Sequence, residues 1–239
     1  EERQRDGRPS SDIGVYFLEP PLANVRPAGQ DVKKGERVLE KGTVLRPSEI
    51  GVLTSLGLSE VRVVRRPLAA ILATGNELIE PTAALTAGRI YDSNSYGLAA
   101  AVKRAGGIPL MLGIAGDNLD SIGVKIEQAM DSDILITSAG VSKGDYDVVK
   151  DVLARYGRIE FWSVRMRPAK PLAFGLLQGP NGKVLPHLGV PGNPVSAMVA
   201  FEQFGRAAIK KMMGRPNSSI PTVEAVLEDP IQNIDGRRV

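Results

Sequence analysis

From residue 68 onward, apolar and polar positions alternate in the order strand, loop, helix. Short apolar runs of strand length lie at Leu68–Leu72, Ile108–Ala115 and Ile134–Ile136, and a polar loop follows each of them. Apolar residues then recur at helical spacing across 98–105 and 119–130. Repeated strand–helix units predict an α/β domain, with a parallel sheet, right-handed crossovers and helices on both faces, in three layers.

The same region continues with three further strands and a long helix. Ile159–Val164 and Leu172–Leu177 are predicted to be strands around a polar turn, and Val184–Leu188 is predicted to be a further strand. A long helix is predicted to start at Pro194, a residue that suits the first helical turn, and to end near Gly214.

Composition and proline placement divide the chain into four segments. Residues 1–30 are predicted to be an irregular tail and a proline-broken linker, and residues 31–66 a segment of a small α+β domain. Residues 67–214 form the predicted α/β domain, and residues 215–239 the truncated start of a C-terminal β domain. Because the chain starts without Met and stops within a pattern, we expect it to be a fragment of a longer protein.

The segments on either side of the α/β domain have short patterns. Strands are predicted at Val38–Leu39 and Val61–Val64, with a helix between them that starts at Pro47 and ends at Gly57. A strand at Thr222–Leu227 is predicted to open the C-terminal domain.

Composition excludes several classes of protein and site. The chain has no cysteine, which excludes disulfides, thiolate nucleophiles and zinc–thiolate sites and is compatible with a reducing cytoplasm. The single histidine, His187, argues against histidine-based metal sites and a Ser-His-Asp triad, and we expect it to have no catalytic role. The net charge of +3 comes from interleaved charges, without the basic block and aromatic platforms typical of nucleic-acid binding. No apolar run is long enough to span a membrane.

The stretch 134–150 combines the groups of a phosphate site in one loop. It contains small hydroxyls at Ser138 and Ser142, a lysine, and carboxylates at Asp145 and Asp147. Turns rich in small residues and helix N-termini bind phosphate through backbone N–H groups. Carboxylates in the same loop are compatible with phosphate if a divalent metal lies between them. The alternative interpretation is that Asp147 only caps the following helix and Asp145 only belongs to a turn.

In a parallel sheet, the loops that follow the strands lie at one edge, where ligands bind. Four polar loops are expected there: Thr74–Glu77, Gly116–Asn118, Thr137–Asp147 and Gly189–Asn193. Glu77, Asp117 and Asp147 would then be acidic groups suited to Mg²⁺. The alternative for Asp117 is that it only caps the helix starting at Leu119.

Two further features would supply an oxyanion site. Arg167 and Lys170 lie in the turn between two predicted strands, where the alternative is a solvated hairpin. Pro191 and Pro194 bracket Gly-Asn and would stiffen a helix start aimed at the same edge, with Ser196 in the first turn able to reach an anion. A helix start with only a structural purpose would not need both prolines.

These residues also form five ordered motifs. The motifs are Thr74-Gly-Asn-Glu-Leu78, Gly88-Arg-Ile-Tyr-Asp-Ser-Asn94, Thr137-Ser-Ala-Gly-Val-Ser-Lys-Gly-Asp-Tyr-Asp147, Arg167-Pro-Ala-Lys-Pro171 and Pro191-Gly-Asn-Pro-Val-Ser196. Through them the chain resembles, over residues 22–239, the MoeA family of molybdopterin molybdenumtransferases, which includes the E domain of gephyrin. The resemblance implies insertion of molybdate into adenylylated molybdopterin, with release of AMP and a requirement for Mg²⁺ or a similar ion. It also implies an elongated, multidomain homodimer whose active site is shared between subunits. In such a subunit, residues 1–30 would end an inserted domain and residues 67–214 would form a MogA-like domain.

The resemblance assigns roles to individual positions. Catalytic roles fall on Asp31, Glu77, Asp117 and Asp147, and the last three would also bind the metal. Substrate-binding roles fall on Thr74, Gly75, Asp92, Asn94, Ser138, Gly140, Ser142, Gly144, Asp145, Arg167, Lys170, Pro191, Gly192, Asn193, Pro194 and Ser196. The implied partners are the small-molecule substrates, a second copy of the chain and an adenylyltransferase of the MogA type. Neither nucleic acid nor a membrane is expected as a partner, and the implied location is the cytoplasm.

The chain departs from the family pattern in places, and two rival functions stay open. The family commonly has Asp, Gly, Lys and Gly where this chain has Asn76, Ala139, Arg167 and Ala169. The first rival is a molybdopterin adenylyltransferase of the MogA type, and the second is a non-catalytic molybdopterin-binding scaffold. The 31–66 segment and the segment after Pro216 speak against the first, because a stand-alone adenylyltransferase has neither. The acidic residues favour catalysis over the second.

Overall fold

A computed structural model describes residues 25–138, 155–179, 182–215, 222–226 and 228–230. The chain divides into two compact units, with the boundary between Val61 and Arg62. Within the described ranges, no helix is both long and apolar enough to cross a membrane.

The smaller unit contains one helix, α1 (Pro47–Ser55), in its described part. The Glu49 carboxylate accepts a hydrogen bond of 2.8 Å from the Arg46 N–H, which is one half of a capping box. Gly57 follows the helix with a φ of +78°, so the predicted start and end of this helix are confirmed. The predicted strand at Val38–Leu39 is wrong, because these residues are irregular.

The stretch Val61–Val64 is also irregular, and the strand predicted there is wrong. Three of its valines are exposed, at 43% for Val61, 67% for Val63 and 61% for Val64. The apolar run therefore has no buried face to hold it in a sheet, and apolar sequence alone misled the prediction. The same holds for residues 222–226 of the predicted Thr222–Leu227 strand, where Val223 and Val226 are almost fully exposed.

The larger unit is built on a six-stranded sheet with the order β4-β1-β5-β8-β7-β6. The strands are β1 (Leu68–Thr74), β2 (Leu78–Ile79), β3 (Ile90–Tyr91), β4 (Ile108–Ala115), β5 (Ile134–Ser138), β6 (Gly157–Ser163), β7 (Pro171–Gln178) and β8 (Val184–Val190). Strands β4, β1, β5 and β8 are parallel, and β2 and β3 form a separate parallel pair. The prediction of a parallel sheet is therefore confirmed for four strands.

Strands β7 and β6 extend the sheet as antiparallel neighbours. The prediction of a parallel sheet is therefore wrong for this edge. The connection from Ser163 to Pro171 is too short for a crossover, so it can only turn the chain back as a hairpin. The two strands approach closely at Gly157, where a Cβ atom would lie 2.0 Å from the carbonyl oxygen of Leu176.

Helices cover both faces of this sheet. Among the described residues they include α2 (Asn94–Ala105), α3 (Leu119–Ala129), α4 (Pro194–Ala200), a π-helical turn (Phe201–Gly205) and α5 (Arg206–Met212). On one face, Leu98 of α2 and Phe201 of the π-helical turn join a buried cluster with Ile136 of β5. On the other face, Ile126 of α3 packs in a cluster with Leu135 of β5. Two apolar layers on one sheet give the three-layer arrangement that the alternating pattern predicted.

The long C-terminal helix is confirmed from Pro194 to the left-handed Gly214, although a π-helical turn interrupts its α-helical hydrogen bonding. The Asn193 side chain caps its start by accepting a 3.2 Å hydrogen bond from the Ser196 N–H. Pro194 occupies the first turn, where no intrahelical donor is needed.

Candidate active site

The parallel strands end side by side at one edge of the sheet. Thr74 of β1 pairs with Ala115 of β4, while Ala73 pairs with Ser138 of β5, and Ser138 in turn pairs with Val190 of β8. The loops that follow these strands therefore start at neighbouring positions although the sequence separates them widely. This convergence is the one expected from the alternation of strands and helices.

A cleft of about 490 Å³ opens between two of the predicted motifs. Residues 166–171 form one wall, including Arg167 and Lys170. The turn Pro191–Asn193 and Ser196 form the other. Two cations, a hydroxyl and a turn at a helix start are thus collected around one opening, which suits an oxyanion.

Ala169 stands in the wall of this cleft with a left-handed backbone, at a φ of +74°. An L residue in this conformation is strained by about 1–2 kcal/mol, because its Cβ crowds the neighbouring carbonyl. The glycine that the family pattern places here avoids that strain. The methyl group is nevertheless buried, with 3% exposed, and packs into the apolar layer of α2 and α4.

Asn94 links three elements beside the cleft. Its Nδ2 donates hydrogen bonds of 2.7 Å to the Ser138 hydroxyl at the end of β5 and 2.7 Å to the Gly192 carbonyl in the proline turn. Both Asn94 and Ser138 are buried, with 8% and 2% exposed. Asp92 is buried as well, and its Oδ1 accepts a 3.0 Å hydrogen bond from the Ser95 N–H at the start of α2. The structure thus gives Asn94 and Asp92 protein partners rather than an open face.

Two loops at the ends of β1 and β4 hold each other through a reciprocal pair of hydrogen bonds. The Asn76 N–H donates to Asp117 Oδ2 over 3.0 Å, and the Asp117 N–H donates to Asn76 Oδ1 over 3.2 Å. Asn118 caps α3 by accepting a 2.8 Å hydrogen bond from the Ser121 N–H. The alternative that Asp117 is the cap of this helix is therefore wrong, and the Asp117 carboxylate bridges the two loops instead.

Gly75 allows Glu77 to fold back against the end of β1. Its φ is +148°, and a Cβ atom at Gly75 would lie 2.6 Å from Glu77 Oε1. A side chain at position 75 would displace the Glu77 carboxylate, and the positive φ itself favours glycine at this position. Thr74, directly before it, is buried at the end of β1.

The acidic groups fit a divalent ion in their chemistry. Glu77 and Asp117 follow adjacent strands, and carboxylate oxygens are the ligands that Mg²⁺ prefers. Within the described ranges, no three His, Asp or Glu side chains cluster closely enough to hold a metal. The third predicted ligand, Asp147, lies outside the described residues, as do Gly140, Ser142, Gly144 and Asp145.

Asp31 belongs to the smaller unit. Its carboxylate lies 3.2 Å from Arg26 Nη1, and both side chains are largely exposed.

Sequence reasoning missed two groups at this edge. Pro168 and Pro171 line the cleft, and their place inside the Arg167–Pro171 motif was the signal that could have identified them. The second is the buried pair of His187 Nε2 and Thr137 Oγ1, 2.9 Å apart on neighbouring strands. Burial lowers the pKa of His187 to about 3, so the imidazole is neutral.

Two family models match this chain. Residues 70–211 match a family described as a probable molybdopterin binding domain, and residues 7–57 match the MoeA N-terminal region, domains I and II. The first match covers more than half of the chain. The chain belongs to the MoeA family.

Relatives with curated names agree with this MoeA membership. The chain is 39% identical over 225 residues to molybdopterin molybdenumtransferase 2 of Mycobacterium tuberculosis, covering 91% of this chain and 54% of that protein. It is 39% identical over 228 residues to a molybdopterin molybdenumtransferase of Nostoc sp., covering 94% of this chain and 52% of that protein. The chain spans about half the length of the curated relatives it matches.

The fold of this chain is similar to that of a solved MoeA structure. The structure of a molybdopterin biosynthesis MoeA protein from Pyrococcus horikoshii has a TM-score of 0.61 and 30% identity. The similarity covers 79% of this chain and 45% of that one. A molybdenum cofactor biosynthesis protein from Pyrococcus furiosus is similar at a TM-score of 0.57 and 27% identity, over 80% of this chain and 56% of that one.

Proposed function

We propose that this chain is part of a molybdopterin molybdenumtransferase that inserts molybdate into adenylylated molybdopterin and releases AMP. The observation that carries the proposal is the cleft in which Arg167 and Lys170 face the turn Pro191–Asn193. Molybdate is a tetrahedral dianion, and paired cations with hydrogen-bond donors are the groups that hold such an anion. The relatives named molybdopterin molybdenumtransferase support the same reaction.

The proposed binding residues lie in two parts of this edge of the sheet, one for the oxyanion and one for the phosphates and the pterin. Arg167 and Lys170 would hold the oxyanion, with the Ser196 hydroxyl as a further donor. The phosphates and the pterin would lie along the strand ends, near Thr74, Gly75 and Ser138 and the residues that follow Ser138 in the sequence. Cleavage of a phosphoanhydride depends on charge neutralisation and positioning more than on a protein nucleophile. The lack of cysteine and the neutral, buried His187 are consistent with this chemistry.

Mg²⁺ is part of the proposal. Glu77, Asp117 and Asp147 would hold the ion, and Asp31 would keep the catalytic role that the resemblance gives it. A bound Mg²⁺ would offset the charge of the substrate phosphates. The hydrogen bond from the Asn76 N–H orients the Asp117 carboxylate, and the neutral Asn76 side chain leaves one negative charge fewer beside it.

A specific observation argues against the adenylyltransferase alternative. Residues 7–57 match the MoeA N-terminal region, which supports a further segment before the α/β unit. A stand-alone adenylyltransferase of the MogA type lacks such a segment. The scaffold alternative keeps the same fold and differs only in turnover, so an assay decides between it and the transferase.

The proposed function also implies an oligomeric state, a location and a partner enzyme. We expect a cytoplasmic homodimer in which the partner subunit completes the active site. We also expect an adenylyltransferase of the MogA type to supply the adenylylated substrate. Sedimentation of the full-length protein at several concentrations would measure the dimer, and a purely monomeric protein would contradict it.

The test is AMP release from adenylylated molybdopterin by the full-length protein that carries this chain. Molybdate and Mg²⁺ are added together, singly or not at all, and a parallel reaction offers ATP with molybdopterin. AMP release that requires both additions supports the transferase. ATP-dependent adenylylation supports the MogA-type alternative, and neither reaction from a protein that still binds the pterin supports the scaffold.

A further inference from the structure

Asn94 stands between the two halves of the candidate site rather than on its surface. The residue begins α2, and only 8% of it is exposed. One amide nitrogen reaches Ser138, the last residue of β5, and also Gly192, which lines the cleft. A single side chain therefore ties β5, α2 and the proline turn together.

The orientation of this amide follows from its partners. The Gly192 carbonyl can only accept a hydrogen bond, so the Asn94 Nδ2 must face it. The same Nδ2 donates to the Ser138 oxygen, which leaves the Ser138 hydroxyl hydrogen to serve as a donor elsewhere. Asn94 Oδ1 is buried without a hydrogen-bond partner among the described residues. Burying an oxygen without a hydrogen-bond partner is unfavourable. The two hydrogen bonds that Asn94 Nδ2 donates therefore explain the need for an amide at this position.

The contact with Gly192 fixes one wall of the cleft. A peptide unit is planar, so a hydrogen bond on its carbonyl sets the orientation of the whole Gly192–Asn193 unit. The start of α4 also packs close to α2, because a Cβ atom at Gly97 would be in van der Waals contact, at 3.4 Å, with Met198 Cε. Asn94 thus supplies the polar part of a junction whose apolar part is the packing of α2 on α4.

We propose that Asn94 is a positioning residue for oxyanion binding. By holding the Gly192 carbonyl and the Ser138 hydroxyl at once, it keeps the cleft wall and the end of β5 in register. The resemblance assigned Asn94 to substrate contact, whereas its burial and its two protein partners assign it to the shape of the site. The inference rests on the proposed function, because it treats molybdate as the anion that the cleft binds.

Two substitutions test this role on the full-length protein. Asn94→Asp keeps the shape but removes both donors, and Asn94→Ala removes the amide without adding a charge. The matched control is Ser95→Ala, in the same turn of α2, which removes a buried hydroxyl without a partner among the described residues. Molybdate binding is measured by calorimetry, and the KM for molybdate and kcat by AMP release. Thermal unfolding of each variant identifies those that fold.

We expect both Asn94 variants to raise the Kd and the KM for molybdate about tenfold, the effect of losing one to two hydrogen bonds, with kcat within about threefold of wild type. Ser95→Ala should leave all three constants within about twofold. If buried charge prevents Asn94→Asp from folding, Asn94→Ala still gives the result. Folded variants with a lower unfolding temperature but unchanged Kd and KM would overturn the inference and leave the proposed function standing. A wild-type protein that neither binds molybdate nor releases AMP would overturn both.

Discussion

His187 makes the stability of the larger unit depend on pH in a way that one substitution can remove. The imidazole is fully buried in β8, and Nε2 lies 2.9 Å from Thr137 Oγ1. Burial lowers its pKa to about 3, compared with about 6.5 for an unfolded histidine. Between these values the unfolded chain binds a proton that the folded chain does not. Stability is therefore fully present above pH 6.5 and is lost as the pH falls toward 3.

The size of the effect follows from the two pKa values. From pH 7 to pH 5, proton uptake by the unfolded state alone lowers the free energy of unfolding by about 2 kcal/mol. The figure holds for any folded pKa below about 4, because the folded histidine then stays neutral over the whole interval. The pKa of Asp133 is also lowered, first by its hydrogen bonds with Arg65, but its contribution is lost at more acidic pH.

The perturbation is His187→Gln, which removes the titrating group and keeps a polar side chain near Thr137. Urea unfolding is followed at pH 7 and pH 5 by the fluorescence of Trp162, the single tryptophan of this chain, whose ring lies 6.1 Å from that of Phe174. We expect wild type to lose about 2 kcal/mol more than the variant between the two pH values. Equal losses in both proteins would refute the assignment of a neutral, buried His187.

Three further pairs of substitutions test the packing and the cleft. Gly157→Ala should lower the free energy of unfolding by at least about 2 kcal/mol, because its Cβ would meet the Leu176 carbonyl. The control Gly51→Ala in α1 has open space around its Cβ and should be neutral or stabilising. Urea unfolding followed by circular dichroism compares the two variants. Asp133→Ala should cost about 1–2 kcal/mol in the same assay, since the Leu68 N–H loses its 2.7 Å acceptor, and a smaller loss than for Arg65→Ala would contradict this. Lys170→Gln should raise the KM for molybdate at least about tenfold in the AMP-release assay, whereas Lys103→Gln, at the opposite end of α2 from Asn94, should leave it unchanged. An equal response of the two lysine variants would remove Lys170 from the site.

The sequence was sufficient for those parts of the fold in which periodicity and end signals agree. The helix α2 was predicted because its apolar spacing ends at Gly106, which caps it in the left-handed conformation. The strand at Val61–Val64 was predicted wrongly, because β-branched residues favour a strand only where a neighbour pairs with them. The antiparallel β6–β7 edge depends on the length of one connection, which periodicity does not report.

The site was predictable as a set of loops and less so as a set of contacts. Parallel topology alone brings the ends of β1, β4, β5 and β8 to one edge, so the convergence of their loops followed from strand order. The hydrogen bonds of Asn94 could not be predicted from the sequence, because its two partners lie 44 and 98 positions away. Asp117 was open to a capping interpretation until the structure placed the cap at Asn118.

We propose above all that the cleft between the Arg167–Pro171 turn and the Pro191–Asn193 turn binds molybdate. The most direct measurement is anomalous diffraction at the molybdenum edge from crystals of the full-length protein soaked in molybdate. We predict a molybdenum peak in this cleft, within contact distance of Lys170, that disappears in crystals of Lys170→Gln. A peak elsewhere in the protein, or none in the cleft of an active enzyme, would contradict the account.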